Sequence, residues 1–173
     1  MSLTHPLRNF LRKSVYPSQY EYQLPVTYEP YFRKDTFAIT RYGAVPDGQT
    51  LNTKAIQQAI DQASAAGGGI VYIPRGLWIT GPIVLKNNVA IYTEKGALIQ
   101  FSTNRDDYPI VETTWEGQPA YRCQAPISGK NLENIALLGY GIFDGSGDVW
   151  KSVKKGKLTS SQWKKYLESG GVT

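Results

Sequence analysis

The sequence predicts an all-β fold in which the chain bends at short linkers and keeps winding, and three observations predict it. First, residues 67–101, GGGIVYIPRGLWITGPIVLKNNVAIYTEKGALIQF, read as short apolar strands at 70–73, 77–80, 83–85, 89–93 and 97–101. Turn formers bound them: Pro74-Arg75-Gly76, Gly81-Pro82, Lys86-Asn87-Asn88 and Glu94-Lys95-Gly96. Second, links of two to three residues are too short for a crossover helix, which excludes a βαβ protein. They also hold few of the Asn-Gly or Asp-Gly pairs that tight hairpins favour. A sandwich or a solenoid remains. Third, Lys86-Asn87-Asn88-Val89-Ala90-Ile91 and Lys130-Asn131-Leu132-Glu133-Asn134-Ile135-Ala136-Leu137 share an Asn-rich turn feeding a buried-type strand. Val89 and Ile135 lie 46 positions apart, about two coils of the length solenoid repeats show. Winding is the favoured reading.

The 173 residues suit one domain, and a chain of about 150 residues buries roughly 70% of its unfolded surface. The single cysteine, Cys123, excludes an intramolecular disulfide. No apolar run approaches the roughly 20 residues of a membrane span, and no membrane partner is expected. Met1-Ser2-Leu3-Thr4-His5-Pro6 lacks the basic-then-apolar layout of a secretory signal. The net charge of +5 divides as +2 over residues 1–35, −1 over 36–147 and +4 over 148–173. Lys151, Lys154, Lys155, Lys157, Lys164 and Lys165 can attract a polyanion, although a solvated lysine-rich loop is the favoured reading. They sit on no recognisable nucleic-acid reading element, so no nucleic acid is expected.

In chain order, residues 1–35 place Tyr16, Tyr20, Tyr22, Tyr28 and Tyr31 among Pro17, Pro25 and Pro30, an extended arm with aromatic anchors. Residues 36–42 read as a first strand and 43–48 as a turn. Asn52 is the expected N-cap of one clear helix. Ala55, Ile56, Ala59, Ile60 and Ala63 form its apolar stripe, and Gly67 ends it as a C′ residue. An open solenoid end exposes core side chains and needs a cover; this helix precedes the first coil and is expected to cap it.

These residues carry a family resemblance. Phe37-Ala38-Ile39-Thr40-Arg41-Tyr42-Gly43-Ala44-Val45-Pro46-Asp47-Gly48, with Asn52-Thr53-Lys54-Ala55-Ile56-Gln57-Gln58-Ala59-Ile60 and the run from Gly67 to Gly76, resembles the entry of pectin-degrading right-handed parallel β-helices. Asp107-Tyr108-Pro109, Glu133-Asn134-Ile135 and Gly139-Tyr140-Gly141-Ile142-Phe143-Asp144-Gly145-Ser146-Gly147 narrow it to the polygalacturonase group, family 28 of the glycoside hydrolases. The resemblance spans about residues 36–173. It implies inverting hydrolysis of α-linked galacturonan, an acidic polysaccharide partner, and residence outside the cytoplasm, secreted or periplasmic. It implies no cofactor and no metal. The family's aspartates come from an Asn-Thr-Asp motif and an Asp-Asp pair, supported by Gly-His-Gly and Arg-Ile-Lys. One carboxylic acid protonates the leaving oxygen while another carboxylate activates water, and a basic pair holds the substrate's carboxylate.

No Asn-Thr-Asp or Arg-Ile-Lys occurs in this chain, and its one histidine, His5, lies in the arm. The one Asp-Asp, Asp106-Asp107, stands in a loop context and does not match the family's catalytic position, which comes further on than these residues. A calcium site there, as in a pectate lyase, needs several more oxygen ligands. Asp144 is expected to bond the backbone of its own turn. No catalytic residue is therefore expected among residues 1–173. Trp115 and Trp150 are the candidate sugar platforms, against the simpler role of pinning their loops.

The last element, residues 150–173, is a lysine-rich loop with a short helix. Thr159-Ser160-Ser161-Gln162 fits a capping box, Trp163 and Leu167 form an i, i+4 pair, and Gly170-Gly171 end it. A solenoid stopping there leaves its last coil open, so the chain is expected to be the N-terminal portion of a longer enzyme. The alternatives are a non-catalytic polysaccharide-binding or assembly module and, more remotely, a calcium-dependent lyase.

Overall fold

The computed structural model describes residues 30–151 and 154–168. Most of the expected arm, with Tyr16, Tyr20, Tyr22 and Tyr28, and the glycine stop at Gly170-Gly171 lie outside the described residues.

The chain winds as a stack of coils. The first holds β1 (Thr36–Ala38), a 3-10 turn over Ile39–Tyr42, β2 (Asp47–Leu51) and the helix α1 (Thr53–Ala65). The second holds β3 (Gly69–Ile73), β4 (Gly76–Thr80) and β5 (Ile83–Val84). The third begins with β6 (Val89–Thr93) and β7 (Ala97–Phe101), then leaves the stack. That excursion carries a 3-10 turn at Arg105–Asp107 and the strands β8 (Ile110–Trp115) and β9 (Gln118–Cys123), and the coil closes with β10 (Ile127–Ser128). The fourth holds β11 (Ala136–Gly139) and β12 (Ile142–Asp144). A 3-10 turn at Gly147–Trp150 and the helix α2 (Ser160–Glu168) follow.

Like strands stack on like strands. One sheet is β1-β3-β6-β11, a second β2-β4-β7-β12 and a third β5-β10, with every pairing parallel. Among the described residues only the excursion is antiparallel: β8 and β9 form a hairpin from Ile110 opposite Cys123 to Trp115 opposite Gln118. The architecture is a parallel β-helix.

The coil length differs from the sequence expectation. Val71 pairs with Ile91, 20 positions on, and Trp78 with Ile99, 21 positions on. Ile91 pairs with Leu137, 46 positions on. The 46-residue spacing is thus one coil enlarged by the excursion, not two coils. Residues 36–42 differ as well: β1 ends at Ala38 and the next four residues form the 3-10 turn. Gly43 follows at φ 89, and its N–H with that of Ala44 bonds the carbonyls of Thr40 and Ile39.

Alternation along each strand points one set of side chains inward. Val71, Ile73, Trp78, Ile83, Ile91, Ile99 and Phe101 form the core with Ile39 and the α1 stripe. Burying such a side chain contributes roughly 1.5–3 kcal/mol. The Trp78 Nε1–H also finds the Pro74 carbonyl at 2.8 Å. One corner repeats a left-handed residue at each level: Gly68 (φ 112), Asn88 (φ 63) and Asn134 (φ 55). Asparagine tolerates this region better than other side chains. The Asn134 Nδ2 donates to Asn88 Oδ1 at 3.1 Å, tying the two upper corners. At Gly68 a Cβ would lie 2.7 Å from the Asn88 carbonyl oxygen, so glycine alone fits.

Helix α1 buries Ala55, Ile56, Ala59, Ile60 and Ala63, as its stripe predicts. Gly67 N–H bonds Ser64 O and Gly68 N–H bonds Ala63 O, a Schellman stop with Gly67 at C′. Its polar side chains reach the second coil's backbone. Thr53 Oγ1 accepts from Gly81 N, Ser64 Oγ donates to Asn87 O, and the Gln57 amide both accepts from Val84 N and donates to Val84 O. Asn52 precedes the helix, but its side chain makes no capping bond. Instead its Oδ1 accepts from Val45 N, and its Nδ2 donates to the carbonyls of Val45, Thr50 and Ile79.

Asn52 is only 2% exposed, so Asn52→Ala strands buried backbone groups. Urea unfolding is expected to show a loss of roughly 1–3 kcal/mol, and an unchanged midpoint would contradict this role.

Candidate functional site

The excursion between β7 and β10 builds one wall of a cleft. Its hairpin turns on Glu116 and Gly117, both at positive φ (49 and 82), the backbone a two-residue turn of the primed type needs. Neighbouring residues of a strand point to opposite faces, so Tyr121 and Cys123 share one face and Arg122 takes the other.

On the Arg122 side, the guanidinium lies 3.7 Å from the centroid of the Trp115 ring, a contact worth about 0.5–1 kcal/mol at an exposed site. Trp115 is 55% exposed and stands at the hairpin tip. Arg122 covers one of its faces.

On the other side, a cleft of about 460 Å³ opens between the hairpin and the 3-10 turn that ends at Trp150. Ile110, Tyr121, Cys123, Gln124, Pro126 and Trp150 line it, together with parts of Arg122 and Ala125. Tyr121 is 76% exposed. The structure does not bring the two candidate platforms together: Trp150 is a wall of the cleft and Trp115 is not.

A buried scaffold fixes the Trp150 wall. Tyr108 is buried and its hydroxyl donates to the Ser102 carbonyl at 2.8 Å. Burial, then the neighbouring Asp107 charge, pushes its phenol above the ordinary value of 10, which keeps it a donor. The Tyr108 and Trp150 rings meet edge-to-face at 4.8 Å and 76°, the geometry aromatic pairs prefer. Arg105 Nη2 donates to the Val149 carbonyl at 3.0 Å and holds the same turn. The Trp150 Nε1 is buried and has no hydrogen-bond partner among the described residues. Its ring is therefore placed by packing.

Two of the acidic side chains considered from the sequence, Asp107 and Asp144, have structural partners. Asp106 and Asp107 lie in a 3-10 turn rather than an open loop, capped by the Asn104 side chain on Asp106 N. Asp107 Oδ2 accepts from the Ser102 hydroxyl. Asp144 Oδ1 accepts from Ser146 N, two residues on, as its turn predicts, and Oδ2 accepts from Gln100 Nε2. Among the described residues no group of three or more His, Cys, Asp or Glu side chains is arranged to hold a metal, and no helix is long and apolar enough to cross a membrane. Sequence reading overlooked Tyr121. Its signal was the alternation on both sides of Glu116-Gly117, which marks a hairpin with two usable faces.

The chain is a parallel β-helix, and comparison with known proteins places it within that class. The family described as rhamnogalacturonase A/epimerase, pectate lyase-like, matches residues 36–107. A probable polygalacturonase of Vitis vinifera is 32% identical over 127 residues, 68% of this chain and 26% of the relative. An exo-poly-alpha-D-galacturonosidase of Dickeya chrysanthemi is 37% identical over 121 residues, 65% of this chain and 19% of the relative. The structure is similar to that of a hyperthermoactive exopolygalacturonase from Thermotoga maritima, with a TM-score of 0.64 and 28% identity over 83% of this chain and 35% of that one. The chain is similar in sequence and in structure to polygalacturonases. It spans about a quarter of the Vitis relative's length and about a fifth of the Dickeya relative's.

Replacing Asp144 by alanine is expected to cost roughly 0.5–1.5 kcal/mol, the net worth of a turn hydrogen bond, read from thermal unfolding. A variant as stable as the parent would remove the structural account of this carboxylate.

Proposed function

We propose that the chain is the N-terminal part of a pectin-degrading glycoside hydrolase that cleaves α-linked galacturonan with inversion. The reacting carboxylates are supplied by coils outside these 173 residues. One observation carries the reading: stacked parallel coils whose sequence is similar to polygalacturonases from a plant and a bacterium. Inversion needs two carboxyl groups roughly 6.5–9.5 Å apart and free to work on substrate. Asp107 and Asp144 are instead engaged by Ser102, Ser146 and Gln100. Trp115 and Trp150 serve as sugar contacts. A secreted or periplasmic location suits a polymeric substrate.

In this reading residues 1–35 are an arm, 36–149 the cap and first coils, and 150–173 a separate lysine-rich element. Helix α1 caps the stack, because it occupies the place of a third strand and its Gln57 amide offers Val84 a donor and an acceptor, as a strand would. The aromatic cleft favours one second reading, a binding module without its own chemistry.

Reducing-sugar release from polygalacturonate is expected to be absent for residues 1–173 and present for a chain carrying further coils. Turnover by the short form would overturn the assignment. For the cap, Gln57→Ala is expected to lower stability by about 1 kcal/mol while Lys54→Ala leaves it unchanged; equal effects would show that the amide contacts carry no special weight.

A further inference from the structure

We infer that the cleft between the Tyr121 face of the hairpin and the Trp150 indole is a non-catalytic subsite that seats one pyranose ring of a galacturonan chain; the identity of the sugar, not the existence of the site, rests on the function proposed above. Its walls have the required chemistry. A pyranose ring presents a C–H face that packs on an aromatic ring, and hydroxyls that need polar partners at the rim. Tyr121 offers a ring that is 76% exposed. Trp150 offers a second ring, held from behind by Tyr108. Ile110 and Pro126 close the apolar floor.

The rim is polar. The Tyr121 hydroxyl donates or accepts, and the Gln124 side chain keeps its carbonyl oxygen as an acceptor while its Nε2 donates to Ser128 Oγ at 3.2 Å. At about 460 Å³ the space falls within the usual range of small-ligand sites. The site is also prepared in advance. The Trp150 turn is tied by Arg105 to Val149 O, and Gln124 N–H bonds Pro109 O at the hairpin root. Ring packing is the attraction here; Arg122 borders the cleft with its guanidinium stacked on Trp115.

Cys123 lines the cleft, is exposed and is the chain's one thiol, so it reports occupancy. The test is its alkylation rate with uncharged iodoacetamide in residues 1–173, with millimolar trigalacturonate, with maltotriose and with neither. Trigalacturonate is expected to slow alkylation at least threefold. Tyr121→Ala, a change at an exposed hairpin position, is expected to abolish that protection, and a parallel change in tryptophan emission on titrating the unsubstituted chain checks binding independently. Absence of protection and of any emission change with both sugars overturns the subsite, even if a longer chain degrades polygalacturonate. Equal protection by maltotriose supports ring seating but counts against galacturonan as the occupant. Protection that survives in Tyr121→Ala overturns the stacking role of that ring.

Discussion

Parallel stacking in register is the constraint on which the rest of this structure depends. Each coil satisfies its backbone groups through the coils on either side, so residues at matching positions lie directly over one another. Phe37, Val71, Ile91 and Leu137 form one such column, and Trp78, Ile99 and Phe143 another. A column tolerates little change in position along the strand, since a one-residue slip sends every inward side chain outward. Corners obey the same rule, which is why Gly68, Asn88 and Asn134 share a left-handed backbone. Where the chain turns from β11 to β12, Gly139 has φ 95 and a Cβ there would lie 2.0 Å from the Thr93 carbonyl oxygen.

The first coil carries a helix beside its two strands. A third strand is missing there, and α1 lies against β5 instead. Apolar packing alone would leave Gly81 N, both backbone groups of Val84 and Asn87 O without their side-chain partners. Thr53, Gln57 and Ser64 supply those partners. The same helix therefore answers two demands at once, one through its alanine and isoleucine stripe and one through its polar flank. This double service is what the proposed capping role consists of.

Much of this was legible in the residues, and the failures have physical causes. Strands at 89–93 and 97–101 and the stripe of α1 were readable because apolar alternation and turn formers agree there. The capping box of α2 was readable too: Gln162 N bonds Thr159 Oγ1 and Thr159 N bonds Gln162 Oε1. Coil length was not, because a spacing of 46 fits two plain coils as well as one coil with an insertion. Only pairing distinguishes them. Asn52 has the right type and position for an N-cap, but a buried side chain with four backbone partners nearby takes those instead. The tyrosine wall of the cleft was hidden because the hairpin turn is Glu-Gly, a weaker signal than Asn-Gly.

The excursion escapes the constraint that governs the coils, and this explains where the proposed sugar-contact residues sit. It leaves after β7 and returns at β10, and the pairing of Ile83 with Ile127 and of Ile99 with Phe143 is the same as if it were absent. Nothing in the stack dictates the identity of Tyr121, Trp115 or Arg122, whose side chains face solvent or one another. The Trp150 wall is different, since Tyr108 and Arg105 connect it to the end of β7. A cleft with one wall anchored to the stack and the other on a free hairpin combines a fixed surface with one that substitution alters without penalty to the core. Such a division lets a coiled scaffold change what it binds while every column of its interior stays as it is.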